Sequence, residues 1–476
     1  MTEAIETPKK TKYPAVFWTA NATELLERAA FYGMFISITL YLTDLIGFND
    51  IEAGLISAGF SSMLYFLPTF AGAIADKMGF RKSLLLAFAL LAGGYFLMGA
   101  FLTKPSTIIS LLLIMAGGAF IKSVITGTVA HCSDDDNRAK AFSIFYMMVN
   151  IGSFSGKTVA KFIRVGMGLQ YINFLSAGLC LLAFFIILFL FKNIESKGEG
   201  KTIGEIWKGF LRVVTNMRFM ALIIIVGGFW AIQHQLYATM PKFVLRTVGE
   251  SASPEWYANV NPLVVVACVA LITELTRRLK ISSLNSIGIA LFIIPFSALT
   301  MSLGNVLPSL TLFGNALHPI TIALLVGIGL QGFAECFLSP RFLEYASKQA
   351  PEGETALYMG FQNITSFFGN ILGFGISGYL LTYFCPDPKT LTPEMHAQWQ
   401  SAMAGTGALP AVYSHSHYIW YAFALIGFTA FIALVLFAKI TAAIDKKKAA
   451  AMTQDKVAEI EPERIAEVDS ENAAIK

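Results

Sequence analysis

The chain has 476 residues, of which 55% are hydrophobic and only 14% charged, with a formal net charge of +4. A water-soluble chain carries charge on about a quarter of its residues, so this composition excludes a soluble globular protein and predicts a membrane-embedded one. Five scattered cysteines, Cys132, Cys180, Cys268, Cys336 and Cys385, have neither C-x-x-C spacing nor an even count, and read as apolar filler, with no metal site or disulfide framework expected.

In chain order, a polar start carrying Lys9, Lys10 and Lys12 has no cleavable apolar core, so the first helix is expected to be retained. Apolar stretches of about 20 residues, enough to cross about 30 Å of hydrocarbon, then recur about twelve times. They fall near 14–45, 51–75, 83–102, 107–130, 141–162 and 171–191, and again near 219–243, 257–275, 283–303, 319–338, 356–384 and 418–440. The predicted architecture is all-α and integral to the membrane, with six-helix bundles at 14–192 and 219–440. Between them, 193–218 is polar and basic with Ile203, Ile206, Trp207, Phe210, Leu211 and Val214 on one helical face, which predicts an amphipathic linker. The end, 441–476, is a lysine cluster followed by Ala and Glu, and its composition predicts a disordered tail. With residues 1–13 in the cytoplasm, most of the 35 Lys and Arg fall on that side, as the positive-inside bias requires, and both termini are cytoplasmic.

An internal repeat is legible. Asn150-Ile-Gly-Ser-Phe-Ser-Gly156 returns as Asn363-Ile-Thr-Ser-Phe-Phe-Gly369, five of seven positions identical, at an offset of 363 − 150 = 213 residues. The same offset superposes Lys122 on Glu335, an intramembrane cation on an anion. Gly152–Gly156 and Gly369–Gly373 are also small-x-x-x-small spacings, which read either as close packing where the two halves slide or as ordinary bundle packing.

Charges at membrane depth carry the functional signal, because each costs about 2.5 to 3.5 kcal/mol on the insertion scale. The first helix holds Glu24, Glu27 and Arg28, the fourth Lys122, the fifth Lys157, the seventh His234 and the tenth Glu335. Glu24 and Arg28 are i, i+4 neighbours that can pair with each other. The functional reading makes Glu27 a proton carrier with Lys122 or Arg28 as counter-charge, and Glu335 its counterpart in the other half. His234 has an ordinary pKa of about 6.5, within the working range, although a lone histidine is more often structural. Lys157, Lys161 and Arg164 share a face; the last two are placed to snorkel to headgroups, whereas Lys157 is deeper.

The stretch Gly72-Ala-Ile-Ala-Asp76-Lys-Met-Gly79-Phe-Arg81-Lys82 lies at the inner end of the second helix. It resembles the major facilitator loop motif, which implies a conformational latch, against the alternative of an ordinary basic loop. Gly327-Ile-Gly-Leu-Gln-Gly332 fits G-x-G-x-x-G but sits inside an apolar span with no preceding strand, so it reads as helix packing. No G-x-x-x-x-G-K-[ST], H-E-x-x-H or G-x-S-x-G sequence occurs, so neither an enzyme nor an ATP-driven pump is expected and a gradient must supply the energy.

Glu24-Leu-Leu-Glu27-Arg28-Ala-Ala-Phe-Tyr32-Gly33 resembles the E-x-x-E-R-F-x-Y-Y-G signature of the proton-dependent oligopeptide transporters of the major facilitator superfamily. The resemblance continues in Tyr65, Phe120-Ile-Lys122, the run from Phe142 to Gly152, Phe229-Trp230 through Gln235, Asn261-Pro262, Glu335 through Ser339-Pro340, and Met359-Gly360 through Gly369-Asn370. It implies the major facilitator fold and inward symport of di- and tripeptides with protons. It places Glu27 and Arg28 with Lys122 in coupling, Tyr32, Tyr65, Asn150 and Asn261 near substrate, and Glu335 facing the peptide amine. Beside these, Glu24, His234 and Glu335 are further coupling candidates, and Lys122, Lys157, Trp230, Gln235, Glu335 and Ser339 further substrate candidates.

The chain departs from the family's pattern where Ala29 replaces the signature aromatic, Phe35 a basic residue, His234 an acid, and Ser123 and Lys157 prolines. It also lacks the extra helix pair that many bacterial members insert between the halves. Losing a cation at Phe35 while gaining Lys157 shifts positive charge outward, and trading an acid for His234 raises the net cavity charge, which together predict a taste for acidic or unusual peptide-like substrates. The expected partners are such a solute, protons and the lipid bilayer, with no nucleic acid and no cofactor beyond the coupling proton, for a monomer in a bacterial inner membrane. Two competing functions are a proton-antiporting efflux carrier of amphipathic compounds, favoured by the Phe-rich lining, and a non-transporting sensor or scaffold.

Overall fold

The computed structural model describes residues 13–134, 137–192, 202–250, 252–308, 310–312, 315–349 and 363–474. The expectations for 1–12, for 193–201 and for the start of the eleventh span at 356–362, including Met359 and Gly360, lie outside these residues.

The first half contains α1 (Ala15–Phe35), α2 (Asp50–Phe66), α3 (Pro68–Met78), α4 (Phe80–Ala100), α5 (Lys104–His131), α6 (Arg138–Gly166) and α7 (Leu169–Leu190). Helix α8 (Ile203–Thr215) is the linker. The second half contains α9 (Met217–Gln233), α10 (Met240–Thr247), α11 (Val260–Arg278), α12 (Ser283–Ser302), the strands β1 (Leu310–Leu312) and β2 (Asn315–Leu317), then α13 (Pro319–Gln349), α14 (Ile364–Phe384), α15 (Pro393–Met403) and α16 (Tyr418–Ala474).

Among the described residues nine helices are long and apolar enough to cross a membrane, and two bent pairs raise that to eleven. One pair is α1 with the Ile38–Leu45 segment, bent by 46°; the other is α2 with α3, bent by 48°. The second bend falls at Pro68, whose ring and missing N–H break the helical ladder. Helix α6 completes the set of twelve: its 29 residues reach about 43 Å at 1.5 Å per residue, but Arg138, Lys140, Lys157, Lys161 and Arg164 lower its hydropathy. The chain is therefore a multi-pass membrane protein whose regular structure, among the described residues, is helical apart from one antiparallel hairpin that pairs Leu310 with Leu317 between α12 and α13.

Local signals set the ends. Asn49 accepts from the Glu52 amide at 2.8 Å while the Glu52 carboxylate accepts from the Asn49 amide at 3.1 Å, a reciprocal cap that starts α2. Thr202 and Glu205 do the same for α8. Gly79, at φ 85°, makes the α3–α4 turn that a side chain would strain.

The repeat is realised as matched packing. A Cβ on Gly156 would collide with the Ala29 backbone of α1, and one on Gly369 would sit 2.5 Å from Trp230 Cβ of α9. The same glycine motif thus seats α6 on α1 in one half and α14 on α9 in the other. The halves meet along α2 and α14, where a Cβ on Gly54 would lie 2.8 Å from the Phe374 carbonyl and Ser62 Oγ donates to the Phe367 carbonyl at 3.1 Å.

The linker folds as an amphipathic helix, but its seated face is Ile206, Gly209 and Val213, with Phe210 against Phe66 at 5.7 Å. Trp207 and Leu211 are exposed. Beyond Ile440 the backbone remains helical to Ala474, where composition predicts a disordered tail. Few apolar residues remove the drive to pack, but Ala, Glu, Lys and Gln are strong helix formers, so a solvated helix costs little.

Candidate functional site

On α1, Glu24, Glu27 and Arg28 are all buried. Arg28 Nε donates to Glu27 Oε2 at 2.5 Å and stands 3.3 Å from Glu24 Oε1. Arg28 therefore serves both carboxylates, so the two sequence alternatives, a Glu24–Arg28 pair and Arg28 as the counter-charge of Glu27, hold together. Lys122 of α5 has no ion pair among the described residues within salt-bridge distance. Its ammonium lies 3.9 Å from the centre of the Tyr65 ring, a cation–π contact, and within electrostatic reach of Glu24 and Glu27. This wall of the site thus balances two carboxylates against one bonded and one unbonded cation.

The facing wall belongs to the second half. Glu335, midway along α13, accepts from Gln233 Nε2 at 3.0 Å and Asn261 Nδ2 at 3.3 Å, both on the same Oε2. Its partners are neutral amides, and no cation pairs with it among the described residues. Between the walls lies a cavity of about 130 Å³ with Glu335 as its one charged lining residue. Aromatic rings line much of it: Phe31, Tyr32, Phe35, Tyr65, Trp230 and Tyr237. Gln233 Oε1, His234 Nδ1 and both side-chain polar atoms of Asn370 are buried without a hydrogen-bond partner in the protein, and all three residues line the cavity. Unmatched polar atoms beside apolar rings are what an oriented polar ligand requires.

Of the residues singled out from sequence, Tyr32, Tyr65, Trp230, His234, Asn261 and Glu335 reach the cavity wall. Glu24, Glu27, Arg28 and Lys122 are not among the lining residues, Lys122 lying against the Tyr65 ring that is. Four others are held elsewhere. Gln235 turns into the α9–α14 contact, donating to the Ala231 carbonyl at 2.6 Å and accepting from Thr239 at 2.5 Å. Asn150 donates to the Tyr146 carbonyl of its own helix, and Ser339 is absent from the lining. Lys157 is only 1% exposed and donates to the Ala258 carbonyl of the other half at 3.3 Å, on the far side of Tyr32. It belongs to the seam between the halves, so the outward charge shift does not reach the cavity wall. Gln233, Tyr237 and Asn370 were missed; Asn370 was accessible through the repeat, since 370 − 157 = 213 aligns it with Lys157.

The latch stretch stays within the first half. Arg81 donates to the Leu188 carbonyl at the end of α7 at 2.6 Å, Gly72 lets α3 approach Ser123 of α5, and Lys82 is exposed. Asp76 has a partner as well.

The seam is closed on the face opposite the termini. Asp50, at the start of α2, receives Lys242 at 2.7 Å and Arg246 at 2.8 Å, and Arg246 also donates to the Cys385 carbonyl at 2.7 Å. Arg164 of α6 pairs with Glu255 and Glu250, each at 2.5 Å, instead of snorkelling. Lys161 donates to the Ala252 carbonyl at 3.0 Å, and Asn259 donates to Thr158 at 3.0 Å. Toward the terminal face, Tyr146 of α6 is 65% exposed yet within electrostatic reach of Glu335, so the cavity opens that way.

A family model described as Major Facilitator Superfamily matches residues 23–313. The chain is 25% identical over 293 residues to dipeptide and tripeptide permease B of Aliivibrio fischeri, covering 56% of this chain and 57% of that one. It is 22% identical over 435 residues to dipeptide and tripeptide permease A of Citrobacter koseri, covering 78% and 85%. Against the first three permease B relatives the match spans 57%, 40% and 48% of their length, about half. The fold superimposes with a TM-score of 0.68 on a crystal structure of a peptide transporter POT in complex with sulfate, 18% identical, covering 92% of this chain and 97% of that one. With two six-helix halves around a shared cavity and a family match over more than half of its length, the chain belongs to the Major Facilitator Superfamily.

Proposed function

We propose that this protein is a proton-coupled importer of di- and tripeptides or closely related zwitterionic solutes. In this reading it acts as a monomer in a bacterial inner membrane, with both termini cytoplasmic, and works by alternating access. The observation that carries the reading is Glu335, held at the cavity by neutral amides alone, with Lys122 the unbonded cation against the Tyr65 ring that lines the opposite side. A zwitterion fits that polarity, its ammonium at Glu335 and its carboxylate toward Lys122, while side chains lie against the aromatic rings. The relatives named as dipeptide and tripeptide permeases support the same solute class.

Protonation of Glu27 removes half of what Arg28 pairs with, so proton uptake changes the charge of the first wall and its hold on a carboxylate. An inside-negative potential adds about 2.3 kcal/mol per inward positive charge per 100 mV. Lys157 lies off the cavity wall, so acidic peptide-like solutes stay within the reading through Phe35 and His234, which line it.

Competition separates this reading from its rival. Unlabelled dialanine should compete with labelled dialanine for uptake into proteoliposomes, and N-acetyl-dialanine, lacking the ammonium, should not. Folded protein that takes up no dipeptide would contradict the reading. The aromatic lining also favours a proton-antiporting exporter of amphipathic amines, and solute accumulation against the direction of proton entry is the signature of that alternative.

A further inference from the structure

On the terminal face, away from the transport cavity, the α11–α12 turn and the last turns of α13 flank an open cleft of about 430 Å³. Its wall carries Arg277, Lys280, Arg341 and Lys348 against a single carboxylate, Glu344. Glu344 is shared by Arg341 at 2.7 Å and Lys348 at 2.5 Å. Arg277 leans away onto Glu274 at 2.8 Å, and Lys280 has no ion pair among the described residues. The Nε of Arg341 is buried without a hydrogen-bond partner. The first turn of α12, with Ser282 as its cap, borders the same cleft and adds the positive end of its dipole.

The backbone at Lys280 is a second, independent sign. Its φ is 50°, the one left-handed non-glycine residue among those described. It occupies the position after the helix end where Ile281 closes back onto the Thr276 carbonyl at 3.0 Å, a place glycine takes without strain. Here a lysine accepts that strain and presents its ammonium at the cleft. Depth identifies the occupant. Leu271, Leu275 and Leu279 are exposed up to this turn, so hydrocarbon ends where the cations begin, and Ile281 and Leu284 add apolar surface to the wall.

We propose that this cleft binds the phosphate of an anionic phospholipid headgroup, bracing α11, α12 and α13 against one another. Basic pockets between membrane helices recognise such headgroups electrostatically.

The test titrates purified full-length protein in detergent with phosphatidylglycerol, phosphatidylcholine or inorganic phosphate, reading bound lipid by native mass spectrometry and the thermal unfolding midpoint. Lys280→Gly removes the ammonium while relieving the backbone, and Lys348→Gln removes a second charge elsewhere on the wall. Phosphatidylglycerol should bind and raise the midpoint, phosphatidylcholine and phosphate should not, and each variant should bind phosphatidylglycerol about fivefold more weakly. Lys280→Gly without lipid should unfold no earlier than the parent chain. Equal phosphatidylglycerol binding by parent and variants, or equal binding of the two lipids, would overturn the proposal. Inorganic phosphate reproducing the full shift would assign the cleft to a soluble anion and overturn the lipid assignment.

Discussion

Glu335 and Arg28 show how far single residues are legible in a sequence. Both stand inside long apolar runs, where any charge is conspicuous, and both lie at the site. Gln233 and Asn370 carry equivalent polar work, but neutral amides do not stand out from a membrane helix. Asp50, Lys242 and Arg246 escaped for the opposite reason: at span ends charges are ordinary, and only folding shows that these three are buried together. Replacing Glu335 with Gln should weaken competition by dipeptides about 10- to 100-fold, the value of a hydrogen bond to a charged group, and leave an N-acetylated dipeptide's poor inhibition unchanged. Equal inhibition by both compounds, before and after the change, would remove Glu335 from ammonium recognition. For Lys157, charge counting predicts that Gln weakens anionic substrates selectively, whereas its seam position predicts that neutral and anionic peptides change together. Initial uptake rates for a neutral and an acidic dipeptide decide between the two.

At the scale of elements, apolar stretches locate all twelve spans, and eleven of them stand as long apolar helices or bent pairs, α6 falling short because its cations lower its hydropathy. The linker helix was legible as amphipathic, with its seated face rotated by part of a turn toward Val213. The glycine spacings offered a sliding seam between the halves or ordinary bundle packing, and the contacts are of the second kind, Gly156 on Ala29 and Gly369 on Trp230, each within its own half. Ala at either glycine should cost about 1–3 kcal/mol through overpacking. Gly59, which has nothing within 4 Å of an added Cβ, should tolerate Ala within about 0.5 kcal/mol. Thermal unfolding in detergent measures all three, and equal midpoints would mean that the two glycine contacts are not close-packed.

At the scale of the whole molecule, the two halves are held on one face by buried ion pairs and part on the other, leaving the cavity accessible from the terminal side. Removing the shared member strands a charge: Asp50→Asn leaves Lys242 buried without its carboxylate and Arg246 with Asp387 at 3.5 Å, a cost of about 3–5 kcal/mol when the pair is intact and dry. That state should lose population to one in which the seam is hydrated. Cys385, buried where Arg246 meets its carbonyl, is a built-in reporter, and its alkylation, located by mass spectrometry, should accelerate in Asp50→Asn. Unchanged reactivity would mean that these pairs do not hold the face shut. The central claim is that opening and closing are coupled to a proton on α1. Its most direct test is labelled-dipeptide accumulation in proteoliposomes under an acid-outside, inside-negative gradient, with Glu27→Gln measured beside the parent chain. Gradient-driven accumulation by the parent chain that collapses in Glu27→Gln, while exchange between labelled and unlabelled peptide persists, is the predicted result; accumulation undiminished in Glu27→Gln would contradict it.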